Sequence, residues 1–459
     1  MSIIYNALTG AIAAQAALNT TSQNIANVQT PGYSRQGVLL SAVAPGFGTN
    51  TAGNGVQVTS LIRFNNAYQN QNLWTAASAL GAPTQSQPYL SQMEQVMSDD
   101  QSSISAGVDQ FFTALNGAAV DPTSTPLRQQ VITAAGAMSQ NINSIYDVAA
   151  NQLVSISQQE GAMMPQINQL TQSIATLNQQ ITQSGAAGSN ISALLDQRDS
   201  QIDQLSSLVS VEVNNQPDGS VAISLKSGQP LVAGNVAASM SLSNSTSPPS
   251  MTLTFTKSQF ALDPTQLGGE LGGVADYAQN TLKPLQQSIA DMAQQMTNAV
   301  NTQLAAGFDS NGNAGAPLLV YNASSTTSLL SVTPGITTDQ LAFSADGTPG
   351  DSTNLQALID IKNQPVNLTS IGSVLLGDAD TQLVGQLGID SQQNQALLST
   401  ATTIRNQAHD DWESTSGVNS DEEASNLVQY QNMYQANMKV ISVANTLFDA
   451  TLAMFNPTT

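Results

Sequence analysis

Cysteine is absent from this 459-residue chain. Disulfides, thiolate nucleophiles and cysteine-ligated zinc are therefore excluded, and a thiol-free chain suits a protein that must stay unfolded before export. Histidine is reduced to His409, which leaves no second imidazole for a histidine-rich metal site or a two-histidine mechanism. Charge is scarce: Asp, Glu, Lys and Arg make up 9% of the residues, against ~25% in ordinary soluble proteins. Gln, Asn, Ser and Thr carry solubility instead. The charges present are lopsided, 31 acidic against 10 basic, a net −21. Such a surface repels phosphate backbones, and no Lys/Arg cluster offsets it, so nucleic acid is not an expected partner. Unbroken apolar runs are lacking too. Residues 1–34 contain no charged side chain, yet Asn6, Thr9, Gln15, Asn19, Thr20 and Thr21 interrupt them, so no membrane span is expected. The same stretch lacks the basic first region of a secretory signal, and export is expected by a route without a cleaved signal.

Apolar residues make up 41% of the chain, enough for packed cores, and the length implies two to four domains. The strongest patterns lie at the two ends. Ile4, Ala11, Leu18 and Ile25 recur every seven residues with Leu8 filling the seam. Leu427, Tyr434, Ile441, Phe448 and Phe455 do the same, with Tyr430, Met438, Ala444 and Leu452 between them. A heptad stripe on a helix demands a partner helix. The stripes can pair within one chain as an internal core, or between copies. The near-absence of charge at both ends, and the flanking amides Gln15, Gln23, Gln429, Gln431, Gln435 and Asn437, favour close-packed neighbours.

The spacing predicts a first helix over 3–27, ended by a type II turn at Thr30-Pro31-Gly32-Tyr33. Val38–Leu40 and Val56–Val58 read as short strands around a Gly-rich loop that includes Gly46 and Gly48. Helical segments are expected at 66–98, 104–118, 126–159 and 163–184, then a shorter helix around 190–208. Period-two alternation at 209–213, 221–225 and 251–255, with a Pro217-Asp218-Gly219 turn, predicts a small inserted β domain. Helix returns at 272–305. Residues 306–350 are Gly/Asn/Ser/Thr-rich, with strand signals at 318–321 and 329–333, and helices follow at 353–362 and 380–415. The last helix has Ser420 as its expected cap and Glu423 as capping-box partner, and runs to about Phe455.

Candidate chemistry is thin. The 309–315 segment resembles a calcium loop at a glance, but Gly312 is fourth and Val320 twelfth where an EF-hand needs Gly sixth and Glu twelfth, so a Gly-rich turn is expected. Gly268–Gly273 lacks the lysine of a phosphate loop and reads as a tight return into a helix. His409, Asp410, Asp411 and Glu413 read as a solvated face, and Asp196, Arg198 and Asp199 as surface ion pairs worth well under ~1 kcal/mol. No hydrolase or metalloprotease motif is present. No catalytic, cofactor-binding or metal residue is assigned.

Two runs resemble a known family. Ser22-Gln-Asn24-Ile-Ala-Asn27-Val-Gln-Thr30-Pro31-Gly32-Tyr33-Ser-Arg35 is similar to the N-terminal signature of the flagellar axial proteins, the rod, hook and junction subunits. Ser416–Ala424 followed by Leu427–Ala436 resembles the junction members more than hook or rod, as do Leu177–Ile181, Leu194–Asp199, Gly268–Gly273 and Gly307–Asp309. The resemblance implies a mainly α, elongated, multi-domain fold with an inserted β domain and no enzymatic activity. A terminal coiled-coil domain (1–34 plus 420–459) would line an inner tube. A helical domain (35–208 plus 269–419) would surround it, with the β domain (209–268) outermost. It further implies a structural subunit between hook and filament, secreted through the flagellar type III channel. Implied partners are copies of itself, hook protein, a second junction protein or flagellin, and an export chaperone. The assembly surface would comprise Ile4, Leu8, Leu18, Ile25, Leu427, Tyr430, Tyr434, Ile441, Phe448, Leu452 and Phe455, with Asn24, Asn27 and Tyr33 fixing the turn out of the tube. Another axial subunit, a secreted enzyme on a helical scaffold, and a surface-binding protein remain as alternatives.

Overall fold

The computed structural model describes residues 2–44, 53–243, 250–325 and 327–455. The side chains of Ser2 and Phe455, and the loop glycines Gly46 and Gly48, lie outside what is described. The chain opens with α1 (Ser2–Ala26), then a β-hairpin, β1 (Gln36–Ala42) and β2 (Val56–Arg63). Four helices follow: α2 (Ala67–Met97), α3 (Ile104–Val120), α4 (Thr125–Ala186) and α5 (Ser192–Leu208).

The expected break between 159 and 163 is absent, and α4 is one helix of 62 residues. Pro165 sits inside it. A proline removes one backbone bond, but Met163, Met164 and Ile167 around it are buried, and their packing holds the helix through the defect.

The inserted strands form two sheets. One has the order β3-β4-β5-β6, built from Val211–Asn215, Val221–Leu225, Pro230–Ala233 and Val236–Ala237. The other is β7-β8-β9, Ser239–Ser243, Ser250–Phe255 and Ser258–Leu262. The chain returns through α6 (Gly269–Asp276), a π-helical turn at Tyr277–Leu282 and α7 (Lys283–Ala305). Short antiparallel pairs β10 (Leu319–Tyr321) with β11 (Leu330–Val332) and β12 (Pro365–Leu368) with β13 (Gly372–Leu375) flank α8 (Thr353–Asp360). Two long helices close the fold, α9 (Ala379–Ser416) and α10 (Ser420–Phe455).

Two apolar cores result. The larger gathers the second half of α2, α3, the first half of α4, α7 and the small hairpins, around Met93, Phe111, Met138, Ile145 and Phe343. The second joins Trp74, the second half of α4, α5 and both inserted sheets. Among the described residues, neither core contains a side chain from α1, the β1–β2 hairpin or α10. The ends are packed as a separate unit.

Candidate functional site

The terminal unit is built on α1, which α10 covers on one side and the β1–β2 hairpin on another. The two helices are antiparallel. At Gly10 a Cβ would lie 2.6 Å from Asn437 Oδ1, so the Asn437 side chain packs directly against the glycine. The buried side chains of α1 are small: Ala7, Ala11, Ala13, Ala14, Ala17, Thr20, Thr21 and Asn24. On α10, Leu427, Tyr430, Tyr434, Asn437, Ile441 and Ala444 are half-buried at spacings of three and four, so Asn437, and not Met438, occupies the seam.

The larger apolar residues of α1 divide differently from the stripe. Ile4 and Leu18 are half-buried, whereas Leu8 and Ile25 are exposed, with Ile3, Tyr5 and Ile12 beside them. On α10, Val428, Met433, Met438, Val440, Val443, Leu447, Phe448, Leu452 and Met454 are exposed, Phe448 at 62%. The cause is two-sided packing. A helix squeezed between another helix and a ribbon must present small side chains to both, and its large ones turn outward. α10 has 36 residues against 25 in α1. With Gly10 opposite Asn437, about ten residues of α10 project past the start of α1, roughly 15 Å at 1.5 Å per residue.

The turn out of α1 closes on Asn24, which is 1% exposed. Its Oδ1 accepts from the Gln36 N–H (3.0 Å) and the Tyr33 hydroxyl (2.9 Å), and its Nδ2 donates to the Gln36 carbonyl (2.9 Å). Asn27 holds the helix end: its Nδ2 donates to the Gln23 carbonyl, and its Oδ1 accepts from Thr30. Gly32 has φ 76°, and Tyr33 N donates to the Thr30 carbonyl, as a type II turn requires. Along the hairpin, Asn6 Nδ2 donates to the Gly53 carbonyl and the Val56 N–H donates to Thr9 Oγ1.

Beneath this unit lies a cleft of about 1000 Å³ bordered by Pro31, Arg35, Arg63, Trp74, Arg405 and Trp412. The ion pairs around it correct two expectations. Asp196 and Arg198 are buried, 8% and 5% exposed, and are not surface pairs. Arg63 bonds Asp196 (2.7 Å) and Asp199 (2.9 Å), and Ser34 N donates to Asp196. Burial pushes the Asp196 carboxyl up, and Arg63 pulls it back. The cap of α10 is Asn419, whose Oδ1 accepts from the N–H groups of Asp421 and Glu422. Glu423 leaves the expected capping box because Arg35 takes its carboxylate at 2.8 Å. Arg35, Arg63 and Gly10 went unassigned in the sequence reading. A signal for the arginines was available: they are the only charged residues among the first 93.

Elsewhere the plain readings stand. Asp309 Oδ1 accepts from the backbone of Asn311 and Asn313 in a Gly-rich turn. Gly268 and Gly269 take positive φ in the return into α6. His409 and Glu413 are exposed neighbours 3.4 Å apart. Among the described residues, no group of three or more His, Asp or Glu is placed to hold a metal. No described helix is long and apolar enough to cross a membrane.

A long helical body with inserted sheets, and a separate pair formed by the first and last helices, is the architecture of a flagellar axial protein. Residues 4–33 match the profile described as flagella basal body rod protein, and 413–454 the C-terminal profile of flagellar basal body rod FlgEFG proteins. Residues 90–319, half of the chain, match the helical domain of flagellar hook-associated protein FlgK. Flagellar hook-associated protein 1 of Escherichia coli K12 is 28% identical, with 98% of this chain and 99% of that protein covered. Its counterpart in Bacillus subtilis is 24% identical over 95% of each. The fold is similar to the flagellar hook junction protein FlgK from Burkholderia pseudomallei, with a TM-score of 0.63 at 17% identity, covering 76% of this chain and all of that one. The chain belongs to the FlgK family of flagellar hook-associated proteins. It is a structural subunit of the flagellar hook–filament junction and not an enzyme. As an axial component it self-assembles and contacts other flagellar proteins.

Proposed function

We propose that this subunit joins hook to filament by coupled folding and assembly of its terminal helices. The domains divide as 1–34 with 420–459 for the inner tube, with the β1–β2 hairpin packed on α1 beside it, the rest of 35–208 with 269–419 for the helical body, and 209–268 for the outer β domain. The observation that carries the reading is the outward apolar face of α1 and α10, from Leu8 and Ile25 to Phe448 and Leu452. Pairing α1 with α10 buries mostly alanine methyls, each contributing about 0.8 kcal/mol. Ordering the backbone costs about 1–2 kcal/mol per residue. The isolated pair is therefore marginal, and burial of the large outward side chains against neighbouring copies tips it towards order. Ile4, Leu18, Leu427, Tyr430, Tyr434 and Ile441 then set how the two helices pair within a subunit, with Phe455 extending the projecting end. Hook protein on one side and a second junction protein or flagellin on the other complete the stack. An export chaperone and the type III channel deliver the chain with its ends unfolded.

Hydrogen exchange tests this on the purified monomer and on isolated hook–junction structures. Fast exchange in 1–34 and 420–459 of the monomer, strongly slowed on assembly, is the expected result. Slow exchange at both ends of the monomer would make the terminal pair a preformed core and sink coupled folding.

A further inference from the structure

Two charged side chains occur in the first 93 residues, Arg35 and Arg63, and both stand at the open end of the β1–β2 hairpin. Gln36 and Arg63 are register partners across it, so the two arginines are near neighbours. They reach for different elements. Arg35 grips the first turn of α10: its Nε meets Glu423 Oε1 at 2.8 Å, while its two terminal nitrogens meet the Glu422 carboxylate at 3.1 and 2.8 Å. Its backbone N–H also donates to the Ser416 carbonyl at the end of α9, and its guanidinium lies 5.0 Å from the Phe64 ring centroid. Arg63 grips α5 in the body through Asp196 and Asp199.

The ground between terminal unit and body is polar. Neither apolar core crosses it. Ser34 Oγ, Asn70 Oδ1, Ser416 Oγ and Glu423 Oε2 are buried around it without a protein partner. Apolar packing is directionless, and here there is little of it to fix an angle. Forked arginine–carboxylate pairs are directional, because the planar guanidinium accepts its partners in a set geometry.

We infer that Arg35 and Arg63 form a bracket at the hairpin base that fixes the direction in which the terminal helix pair leaves the body, and that Arg35 is a positioning residue for incorporation into the junction. This rests on the assembly role given above. A tube-lining module held at the wrong angle meets its neighbours out of register even when both modules are folded. Three of the runs that carry the family resemblance, at Pro31–Arg35, Leu194–Asp199 and Asp421–Glu423, converge on this one bracket.

The test is a coupling cycle in the bacterium of origin, deleted for its chromosomal copy and supplied with Arg35→Gln, Glu423→Gln, the double variant, or Arg35→Lys. Filament-bearing hooks are counted, full-length subunit exported into the medium is quantified, and the purified chain is melted. The bracket predicts that each Gln variant loses about tenfold in incorporation, that the double variant loses no more than either alone, and that Lys, which keeps the charge but lacks the planar fork, fails to restore it. Exported protein and melting temperature stay at wild-type levels. Wild-type incorporation of Arg35→Gln, multiplying losses in the double variant, or a parallel fall in melting temperature would each overturn it. Failure of the wild-type chain itself to restore filaments would strike the functional reading and not the bracket.

Discussion

Asn24 shows how one amide can fix a chain direction. Its side chain pairs with both backbone groups of Gln36, as a neighbouring strand would, and takes the Tyr33 hydroxyl on the same oxygen. Burial, with the nearby charges of Asp196 and Glu423, pushes the Tyr33 phenol up to about 12, so it stays a donor at neutral pH. Asn24→Ala would leave the Gln36 groups without this partner and should cost about 1–3 kcal/mol, against about 1 kcal/mol for Tyr33→Phe. Asn24→Asp keeps the shape but sets a carboxylate against the Gln36 carbonyl, and should lose as much as Ala. Amide-exchange protection of residues 13–26 in assembled junctions measures all three. Equal protection in wild type and Asn24→Ala would remove Asn24 from this role.

At the scale of elements, close helix crossings matter most. At Gly273 a Cβ would stand 2.4 Å from the Ala82 Cα, and at Gly81 one would stand 2.4 Å from the Ser207 carbonyl oxygen. These are backbone atoms that cannot swing aside. Gly273→Ala should lower stability by about 1–3 kcal/mol through overpacking. Gly117→Ala and Gly161→Ala, in helices with open space at the Cβ, should raise it by about 0.5–1 kcal/mol. Urea midpoints at unchanged slope decide, and a harmless Gly273→Ala would mean that α2 and α6 can slide apart.

Most helices were legible because their periodicity is long and their breakers are local. The turn at 30–33, the hairpin at 217–219 and the termini of α1 and α10 fall within a residue or two of expectation. The merged α4 was not legible, because Pro165 is tolerated only through packing that the sequence does not display. β5, β6, β7 and β9 escaped notice, and so did β12 and β13. They are two to five residues long, and Pro230, Pro365 and Gly372 within them read as turn signals. The heptads revealed that the ends are helices with an apolar stripe. They did not reveal which residues of α1 face α10, because alanine carries little periodic signal and the hairpin that forces small residues inward lies 12 residues or more further along the chain.

On the proposed mode of assembly, the whole molecule separates stability from assembly. Its two cores lie in the body, and the terminal pair turns many large apolar side chains outward, among them several on the part of α10 that projects past α1. Leu447 and Phe448 are each 62% exposed and Leu452 is 52% exposed. Such positions contribute little to a single folded subunit, where surface substitutions usually stay within about ±0.5 kcal/mol. In a ring of copies the same side chains would be walled in, and a carboxylate among them would be desolvated without a partner, at a cost of several kcal/mol for each copy. The combined Phe448→Asp and Leu452→Asp variant should therefore melt with the wild-type body, reach the medium in wild-type amounts, and fail to build junctions. Filament counts alongside melting curves check it. Normal filaments would place the subunit interface away from the projecting end, whereas a lowered melting temperature would mean that this end already packs within the monomer.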